Sequence, residues 1–405
     1  MAYGSTFNMF ITTEEEVPLY RRYRTVSLRS NVVHSEEGYG RIENVVHRAR
    51  RGQRIFPDEI RLLLSLKDRG QSEILFQTAR SVRDSYFGAA IFFYGFIYFS
   101  TYCKNNCSFC FFRGTNQLAP RYRKSAKQIL ETAKLLARSG VHLIDLTMGE
   151  DPAYLAENQD DFDGIPDIIR QTKSETGLPV MVSPGVISHD KLRRVRDAGA
   201  DWYACYQETH NRGLFSGLRP TQSYDERLST KREAHDLGLL IEEGILSGVG
   251  ESAEDLECSI AAMQSLDADQ VRIMSFVPQQ GTPMGAAQPA AFDRELLFIA
   301  VMRLIFPDRL IPASLDLRGL AGLKERLDAG ANVVTSVIPP GGGWAGVAHA
   351  DLDIENANRS TRQVRRILAE CGLREGSRRD YLHWLEKRKR SVRREVRCGE
   401  RCSEL

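Results

Sequence analysis

From about residue 94 the chain repeats one pattern eight times: a short apolar run, then a segment whose apolar residues recur at helical spacing. The runs fall near 94–100, 141–147, 178–184, 201–206, 240–247, 269–276, 309–315 and 332–338. The amphipathic segments fall near 124–139, 163–175, 188–198, 223–237, 253–265, 292–306, 319–329 and 361–371. Strands apolar on both faces and joined through helices pair in parallel, and eight such units close into a ring. The fold class is therefore α/β, and the expected architecture is a (β/α)8 TIM-type barrel over 94–372. Ahead of it Pro57 suits a helix start, and Gly70 and Gly88 suit stops, so 44–93 reads as a helical cap. Residues 1–43 carry no sustained period and read as a loosely ordered extension.

Such a barrel keeps its active site at the carboxyl ends of its strands, so polar residues there are the ones to weigh. The first run leads into FIYFSTYCKNNCSFCFFR, with Cys103, Cys107 and Cys110 spaced C-x3-C-x2-C. One short loop can turn three such sulfurs toward a common centre shielded by aromatic residues. Four cysteines would close a zinc or cluster site, whereas a cubane held by three leaves one iron open to an outside ligand.

Further along, Asp145, Arg272 and Asp316 stand within or at the ends of apolar runs, with Ser314 nearby. A charge there costs several kcal/mol unless it is paired or holds a ligand. One arginine facing two aspartates and a serine suits an amino acid, with guanidinium to carboxylate and aspartate to ammonium. An internal Arg–Asp ion pair tying strands together is the alternative. Glu208 and Arg219, in ETHNRGLFSGLRP, place a carboxylate and a guanidinium one loop apart, which reads either as a ligand clamp or as a surface ion pair.

Composition mainly excludes. A net charge of +2 favours no acidic partner, so basic character has to be local. Eight cysteines in 405 residues are too few for a disulfide scaffold, and thiol ligands need to be reduced, which points to the cytoplasm. No run of about 18 apolar residues is present, so no membrane span is expected. Residues 373–405 form a basic C-terminal tail containing EKRKR and SVRREVR, with Tyr381, Leu382, Trp384 and Leu385 as a small apolar stripe. Acids are interspersed, so this reads as a solvated helical face, and nucleic acid is not expected as a partner.

The cysteine spacing, with Phe109 just before the third thiol, is similar to the signature of the radical S-adenosyl-L-methionine (SAM) superfamily. Beyond it, HLIDLTMGEDP (142–152), YQETHNRGLFSGLRPTQSYDERL (206–228), DQVRIMSFVPQQGTP (269–283) and RLIPASLDLRGLAGLKERLDAGANVVTSVIPP (309–340) closely resemble the methylornithine synthase family, lysine mutases of pyrrolysine biosynthesis within the biotin-synthase-like group. The resemblance implies a radical SAM barrel with one 4Fe-4S cluster on Cys103, Cys107 and Cys110, and SAM held by Glu208, Arg219 and Arg227. It implies substrate binding by Asp145, Arg272, Ser314 and Asp316, with no side chain given a catalytic role because the cofactor carries the radical. The reaction implied is isomerisation of L-lysine to (3R)-3-methyl-D-ornithine by hydrogen abstraction, fragmentation and recombination. It also implies a reducing electron donor of flavodoxin or ferredoxin type. Another biotin-synthase-like activity, sulfur insertion or cofactor maturation, is the alternative. Cys205, Cys258 and Cys371 show no paired ligand spacing for the auxiliary cluster that some sulfur inserters use.

Overall fold

The eight apolar runs become eight parallel strands, β1 (Ala90–Ser100), β2 (Leu143–Met148), β3 (Val180–Ser183), β4 (Trp202–Ala204), β5 (Leu240–Ser247), β6 (Gln270–Ser275), β7 (Pro312–Ser314) and β8 (Val333–Val337). They follow the order β6-β5-β4-β3-β2-β1-β8-β7, and the ring closes between β6 and β7 through the bridge Gln270–Leu310. The computed structural model describes residues 36–155, 162, 164–316, 318–339 and 359–403. The described residues from Arg41 onward form one compact unit. The expected extension therefore lies, over 1–35, outside the described residues. The first helix starts at Glu36, ahead of the Asn44 at which its periodicity becomes readable.

Helices α1 (Glu36–Arg50), α2 (Pro57–Leu64) and α3 (Arg69–Phe87) precede the barrel, followed by α4 (Ala126–Ser139), α5 (Pro152–Leu155), α6 (Gly164–Thr176), α7 (His189–Asp197), α8 (Arg212–Leu218), α9 (Tyr224–Asp236), α10 (Ala253–Ser265), α11 (Phe292–Ile305), α12 (Leu323–Asp328), α13 (Thr361–Glu370) and α14 (Arg378–Ser403). Their starts are written in the sequence. Ser125, Ser188, Ser223 and Ser252 each accept a backbone N–H of the first turn, which satisfies an otherwise orphaned donor. The helix after β7 is only six residues long, and α3 packs beside it and α11 in the outer layer. Arg83 of α3 donates to the Leu327 carbonyl at 2.6 Å.

The lower half of the barrel is filled by Phe92, Tyr94, Leu143, Met181, Trp202, Leu240 and Val333. Tyr381, Trp384, Leu385 and Val392 of α14 join that cluster and close its end. Trp384 stacks on Trp202 with ring centroids 5.8 Å apart, and Tyr381 shares a 2.9 Å hydrogen bond with Tyr94. Arg388 pairs with Asp269 at 2.7 Å and with Asp267 at 2.8 Å, and Lys389 pairs with Asp201. The stripe read as a solvated face is thus the stopper of the barrel. The acids that neutralise its basic residues sit ahead of β4 and β6, where a linear reading gives no sign that they are partners. A two-residue strand, β9 (Arg374–Glu375), pairs with the start of β1 and leads into this helix.

Candidate functional site

β1 ends at Ser100, and the loop that follows carries the three thiols back across the mouth of the barrel. Asp151 anchors it: Ser100 donates to Asp151 at 2.5 Å, and Arg123 from the returning limb takes both its oxygens at 2.6 and 2.9 Å. Lys104 N–H donates to the Glu150 carbonyl at 2.9 Å, so the cysteine loop lies directly on the end of β2. Gly149 is required there, since a Cβ would meet the Tyr102 carbonyl oxygen at 2.3 Å and Cys103 Cβ at 2.9 Å.

Cys107 is buried, Cys103 and Cys110 are half-buried, and Tyr98, Phe111 and Phe112 wall them in. Burial first, and then repulsion from Cys107 and Cys103, pushes the Cys110 thiol well up; burial likewise lifts Cys103. Arg219 Nη1 lies 3.4 Å and Gln222 Nε2 3.2 Å from Cys107 Sγ. Three thiols, one buried and two half-buried, that repel one another as anions suit a cationic iron–sulfur core, which reverses that local pKa logic. Among the described residues no three His, Cys, Asp or Glu side chains converge on one ion. A cubane does not need that, because each thiolate takes a different iron.

The three residues expected to hold SAM come together beside these thiols. Glu208 has φ +68°, a left-handed conformation, and is held by its N–H to the Gly244 carbonyl (3.1 Å) and by its carbonyl accepting from Leu246 (2.8 Å). One oxygen pairs with Arg219, while Oε2 and Arg219 Nε are buried with no hydrogen-bond partner among the described residues. The pair is therefore buried, and the surface ion pair is not realised. Burial raises the Glu208 pKa although Arg219 opposes it. Arg227 donates to Glu150 at 3.0 Å, Gln222 at 2.8 Å and Cys205 Sγ at 2.8 Å. Glu150 and Gln222 bridge the expected residues, and Glu150 packs so tightly on Gly185 that a Cβ there would meet its Cγ at 2.1 Å.

Deeper in the barrel, Asp145 of β2, Arg272 of β6, Ser314 of β7 and Asp316 line one buried cradle. The Arg–Asp pair weighed as an alternative is not formed: Arg272 Nε pairs at 2.7 Å with Glu242 of β5. The terminal nitrogens of Arg272 make no hydrogen bond to a described residue. Asp145 accepts from Thr147 at 2.9 Å and has no ion-pair partner among the described residues. Burial, and next the Glu242 charge, lift its pKa to about 7. Asp316 pairs with Arg359 at 3.0 Å and accepts from Ser336 at 2.6 Å and Ser314 at 3.4 Å. Tyr206 joins the two halves of the site. Its carbonyl accepts from Arg227 at 3.4 Å, and its hydroxyl donates to Glu242 at 2.9 Å. Glu242, Tyr206 and Arg359 were not singled out in the sequence. For Glu242 the signal was there: two consecutive acids inside LLIEEGIL force one into the barrel, because strand side chains alternate.

The family model of the radical SAM superfamily matches residues 97–261. The 3-methylornithine synthase of Methanosarcina acetivorans is 45% identical over 322 residues, covering 80% of this chain and 91% of that protein. The HydE subunit of the FeFe-hydrogenase maturase of Thermotoga maritima is 33% identical over 67% of this chain and 77% of its own length. A crystal structure of methylornithine synthase superposes with a TM-score of 0.80 at 42% identity, over 84% of this chain and 99% of that one.

Proposed function

The chain belongs to the 3-methylornithine synthase family of radical SAM enzymes, and on that premise we propose that Asp145, Arg272, Ser314 and Asp316 hold L-lysine beneath a cluster-bound cofactor. The reaction is the isomerisation of L-lysine to (3R)-3-methyl-D-ornithine. The 4Fe-4S cluster and SAM, when bound, supply the 5′-deoxyadenosyl radical that opens the reaction. Cys103, Cys107 and Cys110 would ligate the cluster. Glu208 Oε2, the guanidinium of Arg219 and that of Arg227 would take the amino and carboxylate groups or the ribose of SAM.

The observation that carries the substrate assignment is Arg272: a buried guanidinium that, among the described residues, is tied through Nε alone, its terminal fork left for a carboxylate. Asp145, with no ion-pair partner among the described residues, suits a substrate ammonium. Opposite charges at both ends hold the carbon chain in one pose, which positioning requires. Aromatic residues below and the cysteine loop above shield the cradle from water. Reduced thiols suit the cytoplasm, and a small electron-transfer protein of flavodoxin or ferredoxin type suits the need for a reductant. Among the described residues no helix is long and apolar enough to cross a membrane. The maturase alternative is disfavoured by the higher identity to methylornithine synthases over nearly their whole length.

The test is turnover of isotope-labelled L-lysine by anaerobically reconstituted protein. An isomer of unchanged mass is expected, and a product of altered mass would overturn the reading. Cys107→Ala should take iron well below the roughly four per chain of one cubane and abolish SAM cleavage.

A further inference from the structure

Glu242 has no accessible surface at all, and each of its oxygens is engaged by donors from the barrel interior. Oε1 accepts from Arg272 Nε at 2.7 Å and from Gln270 Nε2 at 2.6 Å, and Oε2 accepts from the Tyr206 hydroxyl at 2.9 Å. A buried carboxylate with three donors is fixed in space, and a guanidinium bound to it through Nε is fixed in its plane. Arg272 Cζ lies over the Tyr206 ring, 5.5 Å from its centroid. Among the described residues the two terminal nitrogens take no hydrogen bond, and such a pair of adjacent donors is what meets a carboxylate in a fork.

We infer that Glu242 is a positioning residue for carboxylate recognition, holding Arg272 edge-on so that its terminal fork takes the carboxylate of the amino-acid substrate. This rests on the reading that Arg272 binds that carboxylate. It adds that a second carboxylate, with Tyr206 and Gln270 behind it, sets the direction from which the substrate is gripped. Charge supports the assignment. With Asp145 ionised, the cradle holds three carboxylates (Asp145, Glu242, Asp316) against two guanidiniums (Arg272, Arg359). The single negative charge left over complements a diamino monocarboxylate, which carries one net positive charge. Without Glu242 the cradle would be neutral, and Arg272 would be free to turn onto Asp145 and block the ammonium site.

The experiment is a double-mutant cycle of Glu242→Gln and Arg272→Leu, read as KM and kcat for lysine with iron content and uncoupled SAM cleavage as controls. Glu242→Gln should raise KM about tenfold, the scale of one charge-assisted hydrogen bond, with kcat little changed. In the Arg272→Leu background the same change should add nothing. An additive loss would overturn the inference and leave the substrate reading standing, whereas an unchanged KM in Arg272→Leu alone would sink that reading itself. Competition by 6-aminohexanoate and 1,5-diaminopentane separates positioning from simple charge. Glu242→Gln should weaken the carboxylate-bearing compound more, and a larger loss for the diamine would mean that Glu242 sets only the charge. Should Glu242→Gln fail to fold, Tyr206→Phe provides the milder perturbation: a KM rise that disappears in Arg272→Leu is expected, and one that persists there refutes the inference.

Discussion

Two consecutive residues of β5 present the same side chain to opposite faces of one strand, and their surroundings differ in kind. Glu243 points outward beneath α9, where it pairs with Lys231 and accepts the N–H groups of Gln207 and Gly244, each at 2.8 Å. Lys231 also donates to the Gln207 side chain at 2.8 Å. Lys231 Nζ and both Glu243 oxygens are engaged inside the protein, and both residues are fully buried. Glu242 points inward to Arg272, and there the account stays open: among the described residues two guanidinium nitrogens take no hydrogen bond and Asp145 has no ion-pair partner. A closed buried ion pair fixes the strand and holds the turn that presents Glu208. An open one is a binding site, because the unspent hydrogen bonds are what a ligand gains on entering.

The comparison breaks most visibly at Lys231. Lys231→Met leaves Glu243 buried with only the His210 ring, 3.8 Å away, in place of its cation, so unfolding melts should show a loss of about 3–5 kcal/mol, with KM for lysine unchanged in whatever protein remains folded. Arg272→Lys is the converse. It keeps the charge beside Glu242 but loses the planar fork, so the melting temperature should hardly move while kcat/KM for lysine falls about a hundredfold. If both variants moved stability and KM alike, the two faces would not differ in role.

The smallest expected effect is a pH dependence confined to the inner face. Asp145 is faced by Glu242, Arg272 and Asp316 and hydrogen-bonded by Thr147, and its pKa is lifted to about 7, first by burial and then by Glu242. Its ionised form receives an ammonium, so lysine binding is full above that value and weakens as pH falls through it; KM should rise about tenfold between pH 8 and pH 6. Linkage runs the other way for the ligand-free fold. A carboxyl whose folded pKa exceeds its unfolded value of roughly 4 contributes stability below that value, which is lost as pH rises toward 7. Removing the Glu242 charge should move the midpoint of the KM profile to lower pH, and Asp145→Asn should flatten the profile. Persistence of the dependence in Asp145→Asn would assign it to another group.

Much of this was readable before any coordinates, and the reasons are local. The strands were legible because buried parallel strands are continuous apolar runs, and Asp145, Arg272 and Asp316 stood out against those runs. The three cysteines were legible because their spacing confines them to one loop. Glu242 was passed over although the signal lay in the sequence: of two consecutive acids in a strand buried on both faces, one has to enter the barrel. Arg359, 43 residues after Asp316, and the contact of Tyr381 with Tyr94 across 287 positions had no local signal.

By itself, then, the order of residues determined the eight-unit periodicity, the thiol loop and the presence of unexplained charges within apolar strands, since each is a property of a few neighbouring positions. Which charges meet was decided only by the closed ring. The register that sets Gly244 beside Arg272 and Glu242 beside Gln270 brings the arginine of one strand to the glutamate of the next. Pairing of that kind depends on strand order and on which face each residue takes, and a buried charge finds its partner only once both are set.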